Sequence, residues 1–275
     1  MENKAYTSSF ASIYDDIMGA VPYNLWYDYL HEIMDYYKLK ANKVLDLACG
    51  TGNMSILFAQ NDYQVTGIDI SKQMLDEARK KVDKLEQEIE FIDSDLRSFN
   101  MEKKFDMAFC LFDSLNYILN IEELERVFEN VYRVLNEEGS FIFDMNTIRR
   151  LMSIKAGTTV IHGDNYSCIW EDIIDHKRKL WQVKLKIYLK ELAEYHEELH
   201  QETGYKIQEV KDLLRKVGFK YVDVYNSYTF SKADDNDNRI YFIAFMDRAN
   251  VREKPALLKS VKNVKWGFKK LFSDT

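Results

Sequence analysis

The chain has 275 residues, enough for one sizeable α/β domain with an insertion and short for two independent domains. Its net charge of −7 disfavours a long nucleic-acid footprint, which rests on phosphate neutralisation, so no DNA partner is expected and RNA is disfavoured. The three scattered cysteines contain no C-x-x-C and indicate neither a disulfide framework nor a zinc site, no apolar run reaches the length of a membrane span, and Met1-Glu2-Asn3-Lys4 begins no signal peptide; a cytoplasmic location is expected.

From the start, Phe10 to Leu39 reads as helical with a break at Gly19 to Pro22, because Phe10, Ile13, Tyr14 and Ile17 repeat at helical spacing, as do Leu25, Tyr29, Ile33 and Tyr36. Lys43–Ala48 is an apolar strand that runs straight into the pair Gly50 and Gly52, with a helix from Asn53 to Gln60. Such glycines let the backbone turn sharply and approach a ligand at the carboxyl end of the strand. Gln64–Asp69 is a second strand ending in an acid, with Ser71 placed to cap a helix to about Leu85. Ile89–Asp93 is a third, followed by Asp95. A carboxylate at Asp69 is placed to accept the ribose hydroxyls of a bound nucleoside, and Asp95 lies one strand further along.

Phe105–Leu111 is a fourth strand. A helix from about Ile121 to Leu135 leads through the turn signal Glu138-Gly139 into a fifth, Ser140–Asp144. The alternating βα units predict a mostly parallel sheet covered by helices on both faces. From Ile154 the rhythm breaks. Trp181, Val183, Leu185, Ile187 and Leu189 alternate with polar residues, and Tyr166–Ile174 and Tyr195–Gln201 read as partners, predicting an inserted antiparallel layer of three or four strands. The chain returns with a helix Ile207–Val217 ended by Gly218 and two strands, Phe219–Tyr225 and Arg239–Phe245. The acidic loop between them resembles a calcium loop only superficially, lacking the terminal Glu and flanking helices, and no metal is expected. In residues 255–272 the apolar positions fall on one helical face beside lysines, a pattern that suits docking on the protein itself, a second subunit or an anionic membrane surface.

The run Asp46-Leu47-Ala48-Cys49-Gly50-Thr51-Gly52, then Asp69, Ser71-x-x-Met74-Leu75, Asp95-Leu96 and Phe105–Cys110, resembles the class I S-adenosylmethionine (SAM)-dependent methyltransferases. A nicotinamide dinucleotide site is the rival, but Ala-Cys-Gly-Thr-Gly with Asp46 inside the strand suits a ligand with no pyrophosphate to cradle. The resemblance runs strongly from Phe10 to Asn146. It implies a Rossmann-like seven-stranded α/β sheet, with an inserted antiparallel β layer after the fifth core strand. The implied units are cap helices and SAM core at 1–153, a substrate lid at 154–206, the end of the sheet at 207–247 and a basic tail at 248–275. The insertion is similar to that of amino-sugar N,N-dimethyltransferases, which implies a small-molecule acceptor.

By that resemblance, Ala48, Gly50 and Gly52 contact the methionine moiety through their backbone, and Asp46 supports the turn or the amino group. Asp69 binds the ribose, Ile70 and Met74 flank the adenine, and Asp95 and Leu96 read its edge. Phe112 approaches the methyl side, and Tyr14 touches the methionine part or the substrate. Trp26, Asp113 and Asn116 are substrate candidates, with Asp113 also readable as a plain helix cap. Tyr14, Asp113 and His196 are the catalytic candidates; on the inserted strand His196, Glu198 and His200 share one face. The expected reaction is methyl transfer from SAM to nitrogen or oxygen by in-line displacement. RNA or lipid methylation and a non-catalytic SAM-binding module stay open, as do monomer and homodimer.

Overall fold

A computed structural model describes residues 5–85 and 88–247. The basic segment 255–272 therefore lies outside the described residues. Val44, Leu45 and Leu47 are fully buried because strand β1 (Lys43–Leu47) is covered on both faces. It pairs in parallel with β2 (Gln64–Asp69) on one side and β4 (Phe105–Cys110) on the other. Beyond these lie β3 (Ile89–Asp93) next to β2, and β5 (Leu135–Asn146) next to β4. The sheet closes with β11 (Arg239–Phe245) and β10 (Tyr221–Asn226), both added antiparallel, giving the order β10-β11-β5-β4-β1-β2-β3.

Period-two alternation splits the core. Leu45, Leu47, Phe141 and Phe143 face the apolar stripes of α6 (Ile121–Val134) and α8 (Ile207–Val217). Val44, Phe109, Ile142 and Ile243 face α3 (Tyr23–Tyr37) and α4 (Asn53–Ala59). The helix ends carry their caps: Asn120 accepts the Glu122 N–H at 2.9 Å at the start of α6, and Ser71 Oγ accepts the Met74 N–H at 3.2 Å at the start of α5 (Lys72–Leu85).

The second sheet is antiparallel, in the order β6 (Gly157–His162), β7 (Tyr166–Asp175), β8 (Leu180–Leu189), β9 (Glu194–Thr203). Its inner face, with Cys168, Val183, Leu185 and Ile187, buries Phe10, Ile13, Tyr14 and Ile17 together with Met74 of α5. The strand β6 and the short helix α7 (Ile148–Ser153) carry little periodicity and were not separately expected.

The N-terminal expectation needs correction. Phe10 to Ile17 is not one helix but two single turns, α1 (Ser8–Ala11) and α2 (Tyr14–Ile17), because the Ser12 hydroxyl bonds back to the Ser9 carbonyl at 3.0 Å where the first turn ends. In α3 the buried stripe is Trp26, Tyr29, Leu30, Ile33, Met34 and Tyr37, while Leu25 is exposed and Tyr36 only half-buried. The fifth strand also begins earlier than expected, at Leu135, with an irregular register against β4 between Phe105 and Met107.

Candidate active site

The carboxyl ends of β1, β2 and β4 converge on one edge of the large sheet. After β1 the backbone enters the left-handed region at alternate residues, Ala48 (φ 54°), Gly50 (φ 55°) and Gly52 (φ 76°). This conformation is costly for Ala48 and nearly free for the glycines, and it concentrates backbone N–H groups at the head of α4. Two buried acids brace the turn. Asp46 Oδ2 accepts the Ser55 hydroxyl at 2.6 Å, and burial, opposed by that bond, pushes its carboxyl up to about 7. Asp69 accepts the N–H of Gly50 on one oxygen and of Ser71 on the other, each at 2.8 Å; burial raises its pKa against these bonds. Beside it Ile70 is 62% exposed, an apolar surface at the strand end. Asp95 accepts the Arg97 Nε at 2.9 Å, and this pairing holds its carboxyl below the usual range, while Leu96 sinks into the core.

At the end of β4 two consecutive non-glycine residues are left-handed, Phe112 (φ 63°) and Asp113 (φ 50°), a strain of about 1–2 kcal/mol each. What holds them is Arg239, the first residue of β11. It donates to Asp113 Oδ1 and to Asp144 Oδ2, both at 2.8 Å, and its guanidinium lies over the rings of Phe112 and Trp26 at 5.8 and 5.9 Å. Asp113 also accepts Asn146 Nδ2 at 2.6 Å. Its side chain caps no helix, so the plain-cap reading does not apply. Glu202 of β9 is buried beside the same group, and burial followed by the Asp113 charge pushes it well above the usual carboxyl range. Its Oε2 atom, buried, has no hydrogen-bond partner among the described residues. Asn116 is fully buried with its amide committed: it donates to the carbonyls of Asn146 and Thr203 at 3.0 and 2.7 Å and accepts the Asn146 N–H at 3.0 Å. It ties the two sheets together.

The N-terminal segment lies across this edge. Asp15 accepts the Thr51 hydroxyl, Asn53 Nδ2 and Lys81 Nζ at 2.7, 2.9 and 2.8 Å, anchoring it to the glycine turn. Tyr166 donates to Asp16 at 2.6 Å and Ser71 to the Tyr6 carbonyl at 2.7 Å. Glu198 accepts the N–H of Tyr6 at 2.7 Å, that of Thr7 at 3.0 Å and the Thr7 hydroxyl. Tyr14 is buried among Phe10, Met74 and Phe112, and burial followed by Tyr23 raises its phenol well above the usual value. Trp26 packs on Phe112 with ring centroids 5.1 Å apart.

His196, Glu198, His200 and Glu202 share the inner face of β9; His196 is partly exposed and the other three are buried. His196 lies at the open end, half-exposed and 3.5 Å from Glu194. His200 is the histidine brought to the centre: its Nδ1 faces the Tyr117 hydroxyl at 3.1 Å and its Nε2 faces Glu198 at 3.2 Å. Sequence reasoning left Tyr6, Tyr117, Glu202 and Arg239 out of the site. Glu202 continues the period-two series from His196, a readable signal, whereas Arg239 shows nothing in its flanking sequence that points to two acids distant in the chain.

A family model described as a methyltransferase domain matches residues 44–139. The crystal structure of a S-adenosylmethionine-dependent methyltransferase from Clostridium acetobutylicum superposes with a TM-score of 0.75 at 28% identity, over 86% of this chain and 97% of that one. The chain is a class I SAM-dependent methyltransferase. The enzyme is also 29% identical to the putative methyltransferase YqeM of Bacillus subtilis, over 86% of its own length and 95% of that protein. A shorter match, 31% over 37% of this methyltransferase and 46% of the relative, is to a dTDP-3-amino-3,4,6-trideoxy-α-D-glucopyranose N,N-dimethyltransferase of Streptomyces venezuelae. The strand-end residues suit SAM chemically: a backbone turn of converging N–H groups, a buried carboxylate with lone pairs to spare, and an exposed apolar residue beside it. Among the described residues no helix is long and apolar enough to cross a membrane, and no histidine, cysteine and acid cluster could hold a metal.

Proposed function

We propose that this methyltransferase acts on a nitrogen or oxygen of a small-molecule acceptor held between the N-terminal segment, the end of β4 and the second sheet. The observation that carries the reading is the closure of the site. Residues 6–16 hydrogen-bond at once to the glycine turn, to α5 and to the second sheet, so chain covers the strand ends and a small acceptor fits there better than a macromolecule. The name of the Streptomyces venezuelae relative, an amino-sugar dimethyltransferase, supports the same class.

In this reading SAM supplies an activated methyl group on a sulfonium. The backbone of Ala48, Gly50 and Gly52 holds the methionine moiety, and Asp69 accepts the ribose hydroxyls. Ile70 and Met74 enclose the adenine, with Asp95 and Leu96 at its edge. Phe112, Tyr14 and Trp26 present aromatic faces where positive charge disperses during displacement. Asp113 is fixed by Arg239 and Asn146, so it orients the acceptor as part of a rigid group. Holding the reacting atoms collinear in a dry pocket is worth up to about 7–11 kcal/mol. The second sheet and residues 6–16 serve as the lid.

Incubation with methyl-labelled SAM and host extract tests the reading. Label is expected in the small-molecule fraction; label confined to RNA, lipid or protein overturns the acceptor class. Asp69→Ala tests the ribose assignment. It removes charge-assisted hydrogen bonds of about 1.5–3 kcal/mol, so calorimetric affinity for SAM falls roughly 10-fold to more than 100-fold, and unchanged affinity rejects the role.

A further inference from the structure

We propose that the acceptor is a protonated amine and that a chain through Tyr6, Tyr117 and His200 removes its proton before methyl transfer. This rests on the small-molecule reading above and names the acceptor class and the route of the proton.

The hydrogen bonds run in one direction. Three donors converge on Glu198, two backbone N–H groups and the Thr7 hydroxyl, and the Nε2 atom of His200 faces it at 3.2 Å. A group that accepts from three donors is a carboxylate with no proton to give, so His200 presents its Nε2–H to it. Its Nδ1 then carries a lone pair, and Tyr117 donates its hydroxyl there at 3.1 Å. Tyr6 in turn donates to the Tyr117 oxygen at 2.9 Å. Every proton in the chain points from Tyr6 toward Glu198. The open end is the Tyr6 oxygen, whose lone pairs are not used by the chain. Both phenols are held far above their usual range, Tyr6 by burial and then Tyr117, Tyr117 by burial and then Glu202. They stay neutral and pass protons without storing charge.

The surroundings favour an amine over a hydroxyl. Glu202 lies close to both tyrosines, and its buried Oε2 accepts from no donor among the described residues. An ammonium brings several N–H donors, enough for Glu202 and the Tyr6 oxygen together; a hydroxyl brings one. The groups facing His200 are Glu198 and Glu202 on its own strand, Tyr117 from the turn after β4, Tyr6 and the Phe10 ring from the N-terminal segment, and Cys168 from β7 close to Glu198.

The ammonium gives a proton to the Tyr6 oxygen; the Tyr6 proton passes to Tyr117 and the Tyr117 proton to His200 Nδ1, leaving an imidazolium paired with Glu198. The freed nitrogen lone pair forms the bond to the methyl carbon. The carbon–sulfur bond breaks with its electron pair remaining on sulfur, which yields a neutral thioether and a methylated ammonium. The imidazolium proton leaves to solvent when the product does. Tyr6 touches the acceptor and His200 holds the proton through the tyrosines; Glu198 is a positioning residue.

The test uses the full chain in two arms. In the first, side-chain ¹⁵N spectra of histidine-labelled protein with SAM report His200. The Nε2–H tautomer is expected near pH 7.5, and Tyr117→Phe should move the Nδ1 resonance while leaving Nε2 in place. An Nδ1–H tautomer or an imidazolium at that pH overturns the relay, whatever the acceptor. In the second, labelled SAM and the small-molecule fraction of host extract give methyl-transfer rates from pH 6 to 9.5. Tyr117→Phe and His200→Gln should lower the rate at pH 7 about 100-fold or more, with SAM affinity within twofold, and the deficit should shrink as pH rises and solvent deprotonates the amine. A deficit equal at every pH, or an ether as the product, overturns the proposal. Absence of label with wild-type protein overturns the small-molecule reading instead, and the spectra still decide the relay. His200→Gln serves if Tyr117→Phe does not fold.

Discussion

Arg239 neutralises two acids that come from the ends of different strands, and its planar fork reaches both at 2.8 Å. Asp144 is fully buried and Asp113 nearly so, so neither can recover its solvation in water if the guanidinium is removed. Arg239→Met keeps the bulk over Trp26 and Phe112 but leaves both carboxylates uncompensated. We expect a loss of about 3–5 kcal/mol in urea unfolding; a loss below about 1 kcal/mol would mean that the acids protonate at little cost. At this scale the sequence was legible where chemistry sits in a local pattern. The glycine turn, Asp69 and Ser71 are adjacent to strand ends and announce themselves. His200 differed from His196 only by its place along one strand face, and the pattern gave no way to know that β9 dips toward the site at its Thr203 end.

The N-terminal segment behaves as an element although it holds only two helical turns before Gly19. Its internal hydrogen bonds close only two short turns, and its anchors lie outside it, on the glycine turn, α5 and the second sheet. A segment held from outside in this way opens without unfolding anything else, and ligand exchange requires such an opening. Asp15→Ala removes three of its bonds at the glycine turn while leaving the Glu198 contacts. SAM release measured by stopped-flow displacement should speed up several-fold. An unchanged rate would mean that SAM leaves by another path or that the Glu198 end alone sets the rate. The helical reading of Phe10 to Ile17 identified the buried positions correctly and their geometry wrongly. The same spacing is satisfied by two turns when tertiary contacts, here with β7 and β8, do the holding.

Across the whole molecule, the seven-stranded sheet was readable because each parallel strand is a short apolar run closed by a turn and a helix, and the second sheet because Trp181 to Leu189 alternates cleanly. The junction between the sheets was not readable. It depends on Asn116 inserting its amide between the backbone of Asn146 and Thr203, residues far apart in the chain. Asn116→Ala leaves two buried carbonyls and one buried N–H without that partner, at roughly 1–3 kcal/mol for each group that water cannot reach. Hydrogen exchange should then rise in β9 ahead of β1 and β4; uniform exchange would show that the sheets open as one unit. The sheet order has a further consequence, in time. β11 inserts between β5 and β10, so the large sheet cannot close until residues 239–245 have left the ribosome. Until then the edge of β5 is bare and Asp113 and Asp144 lack their cation. A nascent chain that stalls before residue 239 carries an open strand edge and unbalanced acids, the kind of intermediate that chaperones retain.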